Sequence, residues 1–184
     1  MTAARHGFAT RAVHAGQEPD PETGAVVPPI HLATTFAQDG VGQTRGYEYG
    51  RSDNPTRRRL ETSLASLEEA SHGVAFSSGL AATATVLLLL SPGDHVVVTD
   101  DVYGGTHRLF DQVLSRYGLD FTRVDMSDAA AVAGACTDAT RLVWAESPTN
   151  PLLRVVDISA VSEVAHRRGA LLCVDSTFAS PVLQ

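Results

Sequence analysis

Four short segments of the chain carry residue types that can hold a small charged molecule: "SSGLAA" (77–82), "DDVYGGT" (100–106), "ESPTNP" (146–151) and "DSTF" (175–178). Asp175 closes the apolar run "LLCVD". An acid at the end of a buried strand is costly unless a cation meets it. Gly79 and Leu80 open what reads as a helix after a Ser-Gly turn. The free N–H groups and positive dipole end of such a helix favour a phosphate, although a glycine at that place is often only a backbone device. Tyr103 offers a ring to stack on a flat ligand, or equally a rim side chain packed on its own helix. Asn150, before Pro151, is by default a turn former with an amide to spare.

The elements that must position these residues begin near Gly73. Strands are expected at 73–78, 95–100, 119–125, 141–147 and 170–175, each made of a short apolar run. Helices are expected at 79–90, at 104–118 with Leu109, Val113 and Leu114 on its apolar side, at 127–136 and at 157–169. Asp157 would cap the last and Gly169 end it. Strands alternating with helices imply βαβ units, and so an α/β fold whose mainly parallel sheet is covered on both faces. Open sheets of this kind bind ligands beyond the carboxyl ends of their strands, where all four segments fall. A phosphate seat, a stacking ring, an amide and a buried acid describe a pocket for a phosphorylated heteroaromatic cation. Pyridoxal 5′-phosphate fits, its pyridinium supplying the cation that Asp175 lacks.

Upstream, residues 1–55 show no sustained period and are rich in Gly, Pro and Thr, which reads as an extended arm that needs another surface. Residues 56–184 then form the α/β domain. Its first helix has Asn54 as N-cap, Pro55 at the first helical position and an apolar face of Leu60, Leu64 and Leu67. Arg57 to Arg59 read as a solvated face.

Composition excludes several classes. A net charge of −7 argues against a nucleic-acid partner. The longest apolar stretch, around Thr85–Leu90, is too short for a membrane span, and the N-terminus lacks the apolar core of a secretory signal. The histidines have no metal-ligand spacing. The two cysteines, Cys136 and Cys173, are far apart and read as reduced thiols of a cytoplasmic protein. All 14 basic residues are arginine, so the chain has no lysine.

The segments "YEYGRSDNPTRRRLE", "SSGLAAT", "PGDHVVVTDDVYGGTHRLFD", "ESPTNPLLRVVDI" and "VDSTFASPVLQ" resemble, in order and over nearly the whole chain, the Cys/Met-metabolism family of pyridoxal-phosphate enzymes, in particular its cystathionine γ-synthase and γ-lyase type. The resemblance implies an aspartate-aminotransferase-like (fold type I) large domain, here incomplete. It implies that Gly79 and Leu80 hold the cofactor phosphate through backbone N–H groups, that Tyr103 stacks on the ring and helps in proton transfer, and that Asp175 pairs with the ring nitrogen. Asn150 would lie near the phenolic oxygen and the substrate carboxylate, and Thr177 beside Asp175. Tyr49 and Arg51 would reach a neighbouring subunit's phosphate, which makes the active unit a homo-oligomer, a dimer or tetramer. The implied reaction is γ-replacement or γ-elimination on a sulfur amino acid or homoserine ester.

One departure outweighs the matches. The family bonds its cofactor to a lysine a short way beyond "SPVLQ", and this chain contains none. The expectation is therefore a truncated enzyme, inactive alone. The alternative is a non-catalytic assembly module that pairs with a full-length homologue. A nucleotide-binding domain is disfavoured because the glycine fingerprint is missing.

Overall fold

The computed structural model describes residues 6–184. The chain divides into two compact units, one up to Ala75 and one of Phe76–Gln184.

In the first unit a short helix α1 (Phe8–His14) and a small antiparallel hairpin of β1 (Gln38–Gly40) and β2 (Gln43–Thr44) interrupt the segment that reads as an arm. Neither is long enough to show a period in sequence. Helix α2 (Pro55–Leu67) starts as expected: Asn54 Oδ1 accepts the N–H of Thr56 at 2.8 Å, and Pro55 occupies the first turn. Its arginines are not free in solvent as expected, although Arg58 stays half-exposed. Arg57 donates to the carbonyls of Gly50 and Ser52, Arg58 pairs with Asp53, and Arg59 donates to the carbonyl of Glu18. Three guanidiniums thus tie the preceding loops to the helix. The Leu60 and Leu64 side chains remain exposed.

The second unit is built on a four-stranded parallel sheet of β3 (His95–Thr99), β4 (Asp120–Val124), β5 (Thr140–Glu146) and β6 (Leu171–Asp175), in the order β4-β3-β5-β6. Strand side chains alternate between two cores. Val96, Val98, Leu142 and Trp144 pack with Leu87, Phe110 and Leu114 on one face; Val97, Val143 and Ala145 pack with Met126, Val132, Val161 and Val164 on the other. Helices α3 (Gly79–Leu87), α5 (Ala129–Ala135) and α6 (Ile158–Arg167) supply most of that cover. Asp128 and Asp157 cap α5 and α6, and Gly169 follows α6 at φ +70°, the left-handed stop that favours glycine.

Three further expectations need correction. Residues 73–78 form no strand, because no described strand pairs with them. The helix expected at 104–118 breaks into α4 (Gly104–Arg108), a π-type turn (Leu109–Val113) and a 3₁₀ turn (Leu114–Tyr117). The break turns Phe110 and Leu114 into the core and leaves Val113 exposed. Finally, β6 is an edge strand, so Asp175 is half-buried, not enclosed.

Both cysteines are free. Burial raises both thiol pKa values, that of Cys173 to about 11, where the nearby Asp175 charge adds to the effect. They are protonated thiols at neutral pH.

Candidate functional site

The strand order reverses at β3: β4 lies on one side of it and β5 on the other. Loops leaving the carboxyl ends of β3 and β5 therefore diverge and open a crevice between them. A cavity of about 430 Å³ lies there, lined by Ser78, Gly79, Leu80, Tyr103, Asn150, Asp175 and Thr177 among others. Six of the eight residues singled out from sequence meet in it. The other two, Tyr49 and Arg51, belong to the first unit, where the guanidinium lies 4.6 Å from the centre of the tyrosine ring.

At one end is the start of α3. Ser78 is the N-cap, its Oγ accepting the N–H of Ala81 at 3.2 Å. The N–H groups of Gly79 and Leu80 find no acceptor among the described residues. A Cβ on Gly79 would meet no atom of the chain, so the glycine leaves open space where donors point outward. That is a seat for an anion.

Asp175 stands at the end of β6. Its Oδ1 accepts the N–H and the hydroxyl of Thr177, at 3.1 and 2.6 Å. Both donors go to one oxygen, which leaves Oδ2 without a donor among the described residues. Thr177 thus orients the carboxylate and keeps one oxygen free for a ligand cation.

Tyr103 lies 46% exposed at the mouth of the β3 loop. Its ring folds back over α4: a Cβ on Gly105 would stand 2.4 Å from Tyr103 Cε1. Gly105, which sequence reading passed over, is what allows the ring to lie there. Asn150 sits in a loop pinned at several points. Thr149 Oγ1 donates to Asp101 at 2.5 Å, Leu152 N–H donates to the same Oδ2 at 3.0 Å, and Arg154 pairs with Asp100 and Asp125. Thr149 N–H donates to the Arg154 carbonyl at 2.9 Å, and Thr149 Oγ1 accepts the Arg154 N–H at 2.9 Å, which closes the loop. The main chain that carries Asn150 is thus held before any ligand arrives.

The residue that sequence missed is Glu146. It ends β5, is 4% exposed, and is the Cα partner of Asp175 across the sheet. Its Oε2 accepts the N–H of Tyr103 at 2.9 Å. Burial pushes its pKa up to about 7, opposed by the Tyr103 N–H and reinforced by Asp175. Within "RLVWAES" the only hint was an acid that closes the apolar run of residues 142–145.

The arrangement suits a flat phosphorylated ring with a cationic nitrogen. N–H groups without an acceptor can hold an anion, an exposed ring can stack on a flat ligand, and a carboxylate with one free oxygen can accept from a cationic nitrogen. Among the described residues no group of three His, Cys, Asp or Glu side chains could hold a metal, and no helix is long and apolar enough to cross a membrane.

Fold and crevice together define a pyridoxal-phosphate-binding α/β domain. Comparison with known proteins is in accord: residues 9–184 match the Cys/Met metabolism PLP-dependent enzyme family, and the chain belongs to it. It is 55% identical over 179 residues to a probable cystathionine gamma-synthase of Herpetosiphon aurantiacus, covering 97% of this chain and 56% of that protein. It is 56% identical over 180 residues to a cystathionine gamma-synthase of Mycobacterium bovis, covering 97% of this chain and 46% of that one. The solved cystathionine gamma-lyase of Lactobacillus plantarum, complexed with L-serine, superposes with a TM-score of 0.92 at 48% identity, over 96% of this chain and 46% of that one. The chain thus spans about half the length of these relatives.

Proposed function

We propose that these 184 residues form the ring- and phosphate-holding part of a pyridoxal-phosphate enzyme of the cystathionine γ-synthase and γ-lyase type. The observation that carries this reading is the pairing of Asp175, with one free oriented oxygen, and the outward N–H groups of Gly79 and Leu80 in one crevice.

When bound, the cofactor supplies an electron sink for the substrate's α-carbon. The chain's own residues do the holding. Asp175 Oδ2 accepts from the ring nitrogen and keeps it protonated. Gly79 and Leu80 donate to the phosphate, and Ser78 holds the helix start in place. Tyr103 would offer its exposed ring to stack on one face of the cofactor. Asn150 presents its amide to the ring edge and the substrate. The covalent bond to the cofactor, and the amine that moves the α-proton, come from outside these residues, since none is a lysine. The chain alone is accordingly inactive, and turnover of a sulfur amino acid by it would contradict this.

Tyr49 and Arg51 serve a second copy in this reading. What supports it is the exposure of apolar side chains in the same unit, Ile30 at 76% and Leu32 at 88%, which suits packing against another surface.

The test uses pyridoxamine 5′-phosphate, which needs no lysine to bind. Calorimetry should give saturable binding to the chain and a loss of roughly tenfold or more in Asp175→Asn, the worth of one charge-assisted hydrogen bond. Equal affinity in the two proteins would exclude the role of Asp175.

A further inference from the structure

Glu146 is the least accessible carboxyl of the crevice and has no place in the holding scheme above. It is surrounded by acids. Asp175 faces it from β6 as its cross-strand partner, and Asp101 lies beyond the end of β3. The Arg154 guanidinium is taken up by Asp100, Asp101 and Asp125. The other groups turned toward it are the backbone N–H groups of Tyr103 and Asn150. Two neighbouring carboxyls in a shared niche do not readily both ionise. The two are unequal: Asp175 is half-buried and receives two donors from Thr177, whereas Glu146 is enclosed.

We propose that Glu146 is a positioning residue: in mildly acidic solution it keeps its proton beside the Asp175 side chain, and it anchors the main chain of Tyr103, so that the crevice presents one fixed ring and an undivided acid to its ligand. A neutral Glu146 still accepts the Tyr103 N–H through its carbonyl oxygen. The same group therefore aims the stacking ring and spares Asp175 a second negative charge. An ionised pair would instead repel, and any cation in the crevice would be shared between two acids. The inference concerns the ligand-free crevice, so it can fail while the cofactor reading stands, and the reverse.

The experiment is a pH titration of the protein labelled with ¹³C at the glutamate carboxyls, without cofactor. The Glu146 signal is the one lost in Glu146→Gln. It should titrate near 7, and in Asp175→Asn it should move down by roughly half a pH unit or more as the like charge is removed. In parallel, amide exchange at Tyr103 should stay slow in Glu146→Gln, which keeps the acceptor, and accelerate in Glu146→Ala, which removes it. A Glu146 signal titrating below pH 5, or one indifferent to Asp175→Asn, overturns the shared-charge arrangement. Slow Tyr103 exchange in Glu146→Ala overturns the anchoring role.

Discussion

At the level of single residues, the crevice depends on which carboxyl is ionised. Glu146 is held up to about 7 from its usual 4.5, chiefly by burial. In the window between those two values the folded chain keeps a proton that the unfolded chain has released. Stability therefore falls as pH rises from about 4.5 to about 7 and is flat above, by roughly 1–3 kcal/mol in all. Glu146→Gln removes that slope. Denaturation at pH 5 and pH 8 should show the variant gaining on the parent at the higher pH only; an equal difference at both would mean that Glu146 is ionised throughout. Sequence showed Asp175 as the acid of the site because it closes a visibly apolar run. Glu146 closes another, but burial, not residue type, separates it from any surface glutamate, and burial is not written in a seven-residue strand.

At the level of elements, the start of α3 links fold to function most directly. Ser78 caps the helix whose next two N–H groups face the crevice. Ser78→Ala should cost about 1 kcal/mol of stability, the usual worth of such a cap, and should weaken phosphate binding as well, because the first turn frays. Urea denaturation together with binding of inorganic phosphate checks both; weaker stability with unchanged phosphate affinity would separate the helix start from the anion seat. Elements with strong local signals were legible, among them β3 to β6, α2 with its Asn54 cap, and α6 between Asp157 and Gly169. Those that depend on partners were not. Residues 73–78 have strand-like composition but no described strand beside them. The segment after Tyr103 has a helical pattern, yet seating both Phe110 and Leu114 in the core shifts its register through a π-type turn. Arg57–Arg59 read as solvated because a charge run carries no sign of the Gly50, Ser52 and Glu18 carbonyls or of the Asp53 carboxylate that the preceding chain brings to it.

At the level of the whole molecule, the first unit leaves large apolar side chains uncovered and the second holds the crevice. The account gives the first unit a second copy as partner. Sedimentation should find the chain as a dimer or larger, with Ile30→Ser and Leu32→Ser together shifting it toward monomer; a parent chain that sediments as a monomer would contradict this. Chemistry at the whole-molecule scale is limited by composition. A chain whose basic residues are all arginine has no side-chain amine to bond to a pyridoxal aldehyde, because a guanidinium stays protonated. The most direct measurement of the central claim is the ¹⁵N shift of pyridoxamine 5′-phosphate labelled at its ring nitrogen and bound to the chain. The account predicts a protonated ring nitrogen well above the pH at which the free ligand loses that proton, and its loss in Asp175→Asn. A bound ring that titrates as it does in water, in the parent chain, would contradict it.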